Sequence, residues 1–470
     1  MDLPSIIEPA KLVGQWGGRL LAVGGALRDL TLRSHLAHGA KHAPLKLTDI
    51  DLVAFNISFE DLVQSLAPLG HISTLWRRQI EGALYKLPLI QLKRHKTRLE
   101  ISLPRDLSGN FRPVTFLSAN ILNDAQARDF TANALYLDPL TGELFDPLGG
   151  LNDLRRMSLV PCSADSITLD PLRSLRAMNL IARRAFTAHP SLTRAVSLNW
   201  RLLSRVPRER LWPEWNTWAH SPFPHLGLHF LKESGLLNFY PNLNKLSTLP
   251  QGERFHPEGN VWNHTVLTVA ALTKLPLPQG HNKSVLLLTA LLHDIGKGVA
   301  TPSDKPQRNY PDHARLGAPL VKDFLSSIHC PKRLAKPILK LILRHMDCAF
   351  SSITFGNLRQ IARYLAPHAD LADFWAITAA DWNGRSPWPE KFPYTLEDFL
   401  EPVGGNLQPL EELLNGKELI ALLGISEGRE IGRLKKLIVE AQDKELIKTK
   451  EEALKLAREN LSPQLLSFLK

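Results

Sequence analysis

Cysteine is scarce in this sequence, and long apolar segments are missing from it. The three cysteines among 470 residues, Cys162, Cys330 and Cys348, are too few and too scattered for a disulfide framework or a zinc ribbon. No apolar run reaches the ~18 residues that a membrane span needs, and the N-terminus lacks the basic and then apolar segments of a signal peptide. These absences exclude disulfide-rich secreted proteins and membrane-spanning proteins, and we expect a cytoplasmic protein.

Acidic residues are also fewer than basic residues. The 57 lysines and arginines outnumber the 46 aspartates and glutamates, which gives a formal net charge of +11. Such an excess says nothing about the fold but favours a polyanionic partner such as nucleic acid. Basic residues cluster in segments 93–98, 201–210 and 429–436, although each cluster could equally be a solvated face.

The hydrophobic pattern changes along the chain, which at 470 residues is long enough for two to four domains. The first 140 residues alternate apolar runs with turns, and LLAVGG, DIDLVAF and RLEISL predict strands of an α/β region. Beyond that point the spacing is helical, as in LDPLRSLRAMNLIARRAF. A proline-rich stretch near residues 385–409 predicts a linker or irregular loop, and charged amphipathic helices follow it.

Two aspartates in the segment LTDIDLVAF indicate a metal site. Asp49 and Asp51 are two apart on a predicted strand and therefore point to one face. Their carboxylates repel each other unless a cation lies between them, and Mg²⁺ prefers one or two carboxylates together with phosphate oxygens. Gly24 and Gly25 follow an earlier strand, where their backbone N–H groups could cradle a triphosphate or simply form a tight turn.

A third carboxylate completes the geometry of two-metal catalysis, in which a 3′-hydroxyl is activated and the leaving pyrophosphate is stabilised. Glu100 in RLEISLPR is the best candidate, because it lies on another predicted strand of the same region. The alternative is an ordinary surface glutamate.

Six segments in order carry a family resemblance: LLAVGGALRDL, DID, LEISLPR, ARDFTANALYL, DPLGGLNDL and LDPLRSLRA. Over roughly the first 245 residues the chain resembles class II tRNA nucleotidyltransferases and bacterial poly(A) polymerases. The resemblance implies an α+β protein, with a polymerase-β-like α/β head followed by an all-α neck and body. We expect the head at residues 1–140 and a neck that selects the nucleotide and binds RNA at 141–245.

The resemblance also implies residue roles. Asp49 and Asp51 would bind Mg²⁺, with Glu100 as the third catalytic carboxylate. Arg128 and Asp129 would contact the ribose, with Asn133 nearby. Asp170 and Arg173 would face the base. The full nucleotide-binding set is Gly24, Gly25, Arg28, Arg128, Asp129, Asn133, Asp170, Arg173 and Arg176.

Base selection by Asp170 and Arg173 also follows from chemistry. The two residues are three apart on a predicted helix and would share a face. A carboxylate accepts from the amino group of cytosine or adenine, and an arginine donates to the acceptor beside it. Guanine and uracil present a carbonyl there and would leave the aspartate unpaired, at a cost of roughly 1–3 kcal/mol. A salt bridge on the helix surface is the alternative.

The chain departs from the family pattern at three places. Ala127 stands where a second arginine is usual, Leu169 where a glutamate is common, and TLRSHL replaces a Leu-Leu-Gly turn after Asp29. The first two changes put the finer selectivity for base and sugar in doubt.

A second constellation of histidines and aspartates follows the neck. His256 lies in FHPEGNVWNHT, and the residues after it arrive in the order His264, His293, Asp294, His313, His345 and Asp381. The series resembles the HD phosphohydrolase superfamily, which implies an all-α metal-binding domain at 246–390 and a C-terminal helical segment at 391–470. Imidazole-rich ligation suits Mn²⁺, Ni²⁺ or Co²⁺ better than Mg²⁺.

Several functions are consistent with these features. The first hypothesis is CCA addition to tRNA from CTP and ATP; close variants add only CC, only A, or a poly(A) tail, so that another RNA 3′ end could be the substrate. An HD-type phosphohydrolase whose N-terminal half binds RNA and a non-catalytic RNA-binding protein are the other two. We expect no membrane partner and no DNA partner.

Overall fold

The computed structural model describes residues 3–36, 49–77, 87–94, 97–106, 114–115, 120–277, 280–302, 310–347, 353–385, 391–407 and 409–462. The backbone groups into two compact units, Met1–Pro241 and Asn242–Lys470. Cys348, part of the basic segment 93–98 and part of the proline-rich stretch lie outside the described residues.

The first unit begins with an α/β head. Its elements are α1 (Leu3–Gln15), β1 (Arg19–Val23), α2 (Gly25–Leu36), β2 (Asp49–Phe55), α3 (Phe59–Leu66), β3 (Ser73–Arg77), β4 (Leu87–Arg94), β5 (Thr97–Ser102), β6 (Arg105–Asp106), β7 (Val114–Thr115), α4 (Ile121–Ala127), β8 (Tyr136–Leu137) and β9 (Leu144–Phe145). Seven strands form one sheet in the order β3-β4-β5-β2-β1-β8-β9. The strands predicted from LLAVGG, DIDLVAF and RLEISL are confirmed as β1, β2 and β5.

Both faces of the sheet are covered, but the start of β2 is left open. Alternate residues such as Ile50 and Leu52 pack in the core that α1 and α3 cover. The other set, including Val53 and Phe55, packs with Tyr136 and α4. Because side chains alternate along a strand, Asp49 and Asp51 lie on the face of Val53 and Phe55, and both are exposed there.

Helices make up most of the rest of the first unit. They are α5 (Gly150–Arg155), α6 (Ser166–Leu169), α7 (Arg173–Arg184), α8 (Pro190–Asn199), α9 (Leu211–Ala219) and α10 (Pro224–Glu233), with β10 (Ser158–Leu159) paired to β11 (Thr187–Ala188). Two fully buried tryptophans of α9 fill the core, and each satisfies its indole N–H: Trp215 donates to the Tyr240 hydroxyl at 2.9 Å and Trp218 to the Pro224 carbonyl at 2.9 Å.

Helices are the main regular elements in the described part of the second unit. After α11 (Pro241–Leu246), which spans the boundary between the units, come α12 (Val261–Leu272), α13 (Lys283–Leu292), α14 (His313–Ser327), α15 (Lys332–Arg344), α16 (Phe355–Leu365), α17 (Leu371–Asn383), α18 (Leu396–Leu400), α19 (Gly416–Leu423), α20 (Arg429–Asp443) and α21 (Lys450–Glu459). No helix among the residues described is long and apolar enough to cross a bilayer. The predicted α+β class, a sheet-containing head followed by all-α regions, is confirmed.

One close approach shapes the second unit. A Cβ on Gly296 would lie 1.9 Å from the carbonyl oxygen of His313 and 2.6 Å from the backbone nitrogen of Gly317. The turn after α13 therefore presses directly on the first turn of α14, which brings Asp294 close to His313.

Helix α7 ends in an unfavourable backbone conformation that a glycine would relieve. Ala185, its C-cap, has φ 56° and ψ 36°, and the left-handed region costs a residue with a Cβ roughly 1–2 kcal/mol. Since glycine loses part of that gain through backbone entropy, we expect Ala185→Gly to raise the free energy of unfolding by about 1 kcal/mol. Urea unfolding followed by tryptophan fluorescence measures the change. Ala195→Gly, inside α8, is the matched control and should lower stability by about 1 kcal/mol; equal losses in both variants would contradict the prediction.

Candidate active site

Three carboxylates gather on one face of the head sheet. Strands β2 and β5 run parallel with Asp51 opposite Glu100 and Asp49 opposite Arg98. Glu100 accepts a hydrogen bond from Gln91 Nε2 at 3.0 Å, and Arg98 NH2 lies 3.1 Å from the same oxygen. The structure thus brings together the Asp49, Asp51 and Glu100 side chains that the sequence singled out.

A glycine turn packs against this acidic face. Val23 pairs with Asp51 across β1 and β2, and Gly24 follows with φ +88°, a conformation that L side chains rarely adopt. A Cβ on Gly24 would also lie 2.8 Å from Asp51 Oδ2. Helix α2 starts at Gly25, so its N-terminal N–H groups, which suit anions such as phosphate, lie beside the carboxylates.

Arg28 connects this turn with the predicted ribose site. Its guanidinium is buried and donates to Asn133 Oδ1 at 2.7 Å and to Asp29 Oδ1 at 2.8 Å. Arg184 also donates to Asp29, at 2.6 Å. Burial opposes ionisation of Asp29, but the hydrogen bond from Arg184 and the two guanidinium charges outweigh it and lower the pKa of this carboxyl.

Asp129 belongs to the same hydrogen-bonded group as Arg28 and Asn133, whereas Arg128 does not. Asp129 accepts from Asn133 Nδ2 at 2.9 Å, and Arg176 NH1 lies 3.6 Å from its other oxygen. Burial raises the pKa of Asp129, but the charges of Arg176 and Arg173 lower it by more. The net pKa lies below the usual value, so the carboxyl is ionised.

Arg128 instead turns back along α4. Its guanidinium contacts Asp124 at 2.8 Å and donates to the Tyr136 hydroxyl at 3.0 Å, in a network that is nearly inaccessible to solvent. Arg28, Asn133, Asp129 and Arg176 therefore form one group, and Arg128 belongs to another.

The expectation that Asp170 and Arg173 share a helix is wrong. Helix α7 begins at Arg173, and Asp170 is the C-cap of α6 with φ −143° and ψ 96°. The reason is Pro171, since a proline disfavours the helical conformation for the residue before it. Arg173 is buried and donates to Ser166 Oγ at 3.0 Å and to the Ala127 carbonyl at 2.6 Å.

Two residues that the sequence reasoning missed complete this region. Arg210 NH2 donates to Asp170 Oδ2 at 3.1 Å, and Glu214 lies 3.6 Å from Arg176 Nε. Burial raises the pKa of Glu214, although Arg176 works in the opposite direction. The only available signal was the basic segment 201–210, which says nothing about a partner 40 residues away.

Three histidines of the second unit aim the same ring nitrogen at a common centre. His293, His313 and His345 each place Nδ1 within 2.6–2.9 Å of the carbonyl oxygen three residues earlier. Because a carbonyl can only accept, Nδ1 carries the proton and the Nε2 lone pair faces the centre. Burial, together with the neighbouring imidazoles of His313 and His293, lowers the pKa of His345 to about 3, so this imidazole is neutral.

Asp294 lies between two groups of donors. Its Oδ2 is 3.2 Å from His293 Nε2 and 4.0 Å from His264 Nε2. Its Oδ1 is 3.2 Å from His313 Nε2 and 3.9 Å from His345 Nε2.

Asp381 completes the first group, with Oδ1 2.7 Å from His264 Nε2 and 3.9 Å from His293 Nε2. The six predicted residues thus form two buried triads, His264–His293–Asp381 and Asp294–His313–His345.

These triads fit transition-metal ions. Nε2 of His293 is buried and makes no hydrogen bond within the described part of the chain. The Nε2 atoms of His313 and His345 lie 3.1 Å apart, which brings two lone pairs together unless a cation or proton lies between them. Mixed imidazole and carboxylate donors are the ligand type of first-row transition metals.

Comparison with known proteins identifies two families along the chain. The family described as poly A polymerase head domain matches residues 20–160, and the HD domain family matches residues 261–354. A CC-adding tRNA nucleotidyltransferase of Thermus thermophilus is 30% identical over 440 residues, covering 92% of this chain and 91% of that protein. An A-adding tRNA nucleotidyltransferase of Deinococcus radiodurans is 31% identical over 361 residues, covering 72% and 79%.

Solved structures extend the likeness in fold. The CCA-adding enzyme of Bacillus stearothermophilus in complex with CTP has a TM-score of 0.59 at 18% identity and covers 97% of both chains. With the head, the HD domain and relatives that match along most of their length, this chain belongs to the family of tRNA nucleotidyltransferases and poly(A) polymerases.

Proposed function

We propose that this protein adds CMP, AMP or both to the 3′ end of tRNA, without a template, by two-metal nucleotidyl transfer from CTP and ATP. The observation that carries the proposal is the register of Asp51 with Glu100, on the face that also bears Asp49 and next to the Gly24 turn. Mg²⁺ is the ion that suits a site of carboxylate and phosphate oxygens. The scattered cysteines, of which Cys162 and Cys330 are free thiols, suit a reducing cytoplasm.

Each group in the head has a role in this proposal. Mg²⁺ bound by Asp49, Asp51 and Glu100 would favour ionisation of the RNA 3′-hydroxyl and neutralise charge on the leaving pyrophosphate. The N-terminus of α2 holds the triphosphate through backbone N–H groups. Asp129, kept ionised by Arg176 and Arg173 and oriented by Asn133, accepts a hydrogen bond from a ribose hydroxyl.

Base selection falls to Asp170. Its carboxylate can accept from the amino group of cytosine or adenine, and Arg210 holds it at 3.1 Å. Arg173 supports the position of Asp170, because its backbone N–H donates to the Asp170 carbonyl at 3.0 Å and its guanidinium donates to Ser166 Oγ at 3.0 Å. Relatives named as CC-adding and A-adding match this chain at 30% and 31% identity, over 92% and 72% of its length, so the added sequence is CC, A or CCA.

A second activity is favoured by the two triads around Asp294 in the HD domain. Transition ions such as Mn²⁺, Ni²⁺ or Co²⁺ held there would lower the pKa of a bound water and give a nucleophile near neutral pH. Phosphomonoesters and 2′,3′-cyclic phosphates, such as damaged RNA 3′ ends, are the substrate class that this chemistry attacks.

Loss of one head carboxylate should stop nucleotide addition. Asp51→Asn and Asp49→Asn should each reduce addition more than about 100-fold, since a metal ligand supplies several kcal/mol of charge stabilisation. The measurement uses tRNA lacking its 3′ end, Mg²⁺ and each labelled nucleotide in turn, so that product length is read at the same time. Glu60→Gln, an exposed carboxylate of α3, is the matched control. Full incorporation by either aspartate variant, with unchanged RNA binding, would remove these residues from catalysis.

Asp170→Ala should relax the choice of base. Removal of the carboxylate that accepts an amino group should lower the preference for CTP and ATP over UTP and GTP by about 10-fold to 100-fold, the equivalent of roughly 1–3 kcal/mol. Competition among the four nucleotides measures it. Asp165→Ala, an exposed aspartate before α6, should leave the preference unchanged. Wild-type discrimination in an active Asp170 variant would mean that bases are selected elsewhere.

Hydrolysis by the HD domain should depend on its own residues. We expect the wild type to hydrolyse a 2′,3′-cyclic nucleotide with Mn²⁺, Ni²⁺ or Co²⁺, and a His293→Ala, Asp294→Ala double variant to lose this activity while keeping nucleotide addition. Assays of both reactions with each metal test the separation. A wild type that binds no transition ion and hydrolyses nothing above the double variant would refute the second activity alone.

A further inference from the structure

One of the four histidines in the two triads is oriented differently from the rest. His293, His313 and His345 all give their Nδ1 proton to a backbone carbonyl within their own helix or turn. In His264, Nδ1 faces a side-chain carboxylate instead: Glu258 Oε1 lies 2.8 Å away. Nε2 of the same ring lies 2.7 Å from Asp381 Oδ1.

Glu258 is itself held firmly in place. The same oxygen accepts from His256 Nδ1 at 2.9 Å, and the backbone carbonyl of Glu258 accepts from Asn263 Nδ2 at 3.1 Å. Asn263 lies in the first turn of α12, as does His264, so the turn that carries Glu258 is tied to the helix that carries the histidine.

Burying the Glu258 carboxylate costs free energy unless nearby partners compensate its charge. The Glu258 side chain is 3% exposed and the His264 side chain 0%, and a buried charge needs compensating partners. Within the described residues, the ion-pair partners of Glu258 are the two imidazoles of His256 and His264.

We propose that Glu258 is a positioning residue for the metal ligand His264, and that it does through a carboxylate what backbone carbonyls do for the other three histidines. Its oxygen, 2.8 Å from Nδ1, favours the proton on that nitrogen and fixes the ring orientation, so that the Nε2 lone pair is available to an ion shared with Asp381 and Asp294. His256 holds the same Glu258 oxygen through its Nδ1. Carboxylate–histidine–metal arrangements raise the basicity of the ligand, and loss of the outer group weakens metal binding by about 10-fold to 100-fold.

The inference rests on the proposed metal centre and is tested by metal affinity rather than by activity. The full-length protein, stripped with a chelator, is titrated with Co²⁺ in excess Mg²⁺, which keeps the head carboxylates occupied. Calorimetry gives the affinity, and the visible absorption of Co²⁺ reports the ligand geometry. Glu258→Ala should bind Co²⁺ about 10-fold to 100-fold more weakly with an altered spectrum, and Glu258→Gln, which keeps the size but not the charge, should lose less.

Glu253→Gln is the matched control, because Glu253 is an exposed carboxylate five residues earlier in the same turn. It should bind Co²⁺ as the wild type does. Thermal unfolding of the metal-free proteins identifies a variant that fails to fold, in which case Glu258→Gln decides the question.

Two outcomes overturn different statements. Equal Co²⁺ affinities and spectra in the wild type and both Glu258 variants overturn the role of Glu258 and leave the metal centre standing. A wild type that takes up no Co²⁺ overturns the metal centre, and the role of Glu258 with it. Nucleotide addition should be unchanged in all of these variants.

Discussion

Mutual repulsion among carboxylates is the constraint around which the head is arranged. Parallel pairing of β2 with β5 fixes Asp51 beside Glu100, and strand alternation adds Asp49 to the same face. Like charges on one face repel each other, so a cation such as the proposed Mg²⁺ would stabilise this arrangement. The surrounding elements serve this arrangement: Gln91 and Arg98 orient Glu100, and the turn at Gly24 leaves no room for a Cβ next to Asp51.

The carboxylates at the candidate metal centre of the second unit are buried, whereas Asp49 and Asp51 of the head are exposed. Asp294 and Asp381 are buried, with Lys297 2.7 Å from Asp294 and Arg385 3.7 Å from Asp381, and the imidazoles beside them include rings oriented by hydrogen bonds to carbonyl oxygens. An open site of oxygen donors and a buried site rich in nitrogen donors prefer different ions. One chain can therefore keep two metal-dependent reactions apart through donor chemistry alone.

Local patterns in the sequence were sufficient for much of this description. Alternation placed Asp49 and Asp51 on one face, and the order of histidines and aspartates predicted a cluster that the fold does bring together. The helix assigned to Asp170 was wrong because the effect of Pro171 on the preceding residue outweighed the helical spacing.

Hydrogen-bond partners that are brought together only by tertiary structure could not be predicted from the sequence. The 40 residues between Asp170 and Arg210, and the backbone carbonyls that orient the histidines, leave no pattern in composition or spacing. The roles of individual site residues were likewise open from sequence, because burial decides whether an arginine such as Arg128 faces a ligand or a buried aspartate.

Helix α7 touches the head at both of its ends. Arg173, its first residue, donates to the carbonyl of Ala127, and Arg184, its last residue, donates to Asp29 at 2.6 Å. Twelve residues of α-helix are about 18 Å long, anchored at one end beside the segment proposed to select the base and at the other beside the turn proposed to hold the triphosphate. If both roles hold, a base that displaces the first end of this stiff helix would also disturb the second. Fit at the base and alignment of the phosphates would then be checked together, by mechanical leverage rather than by direct contact.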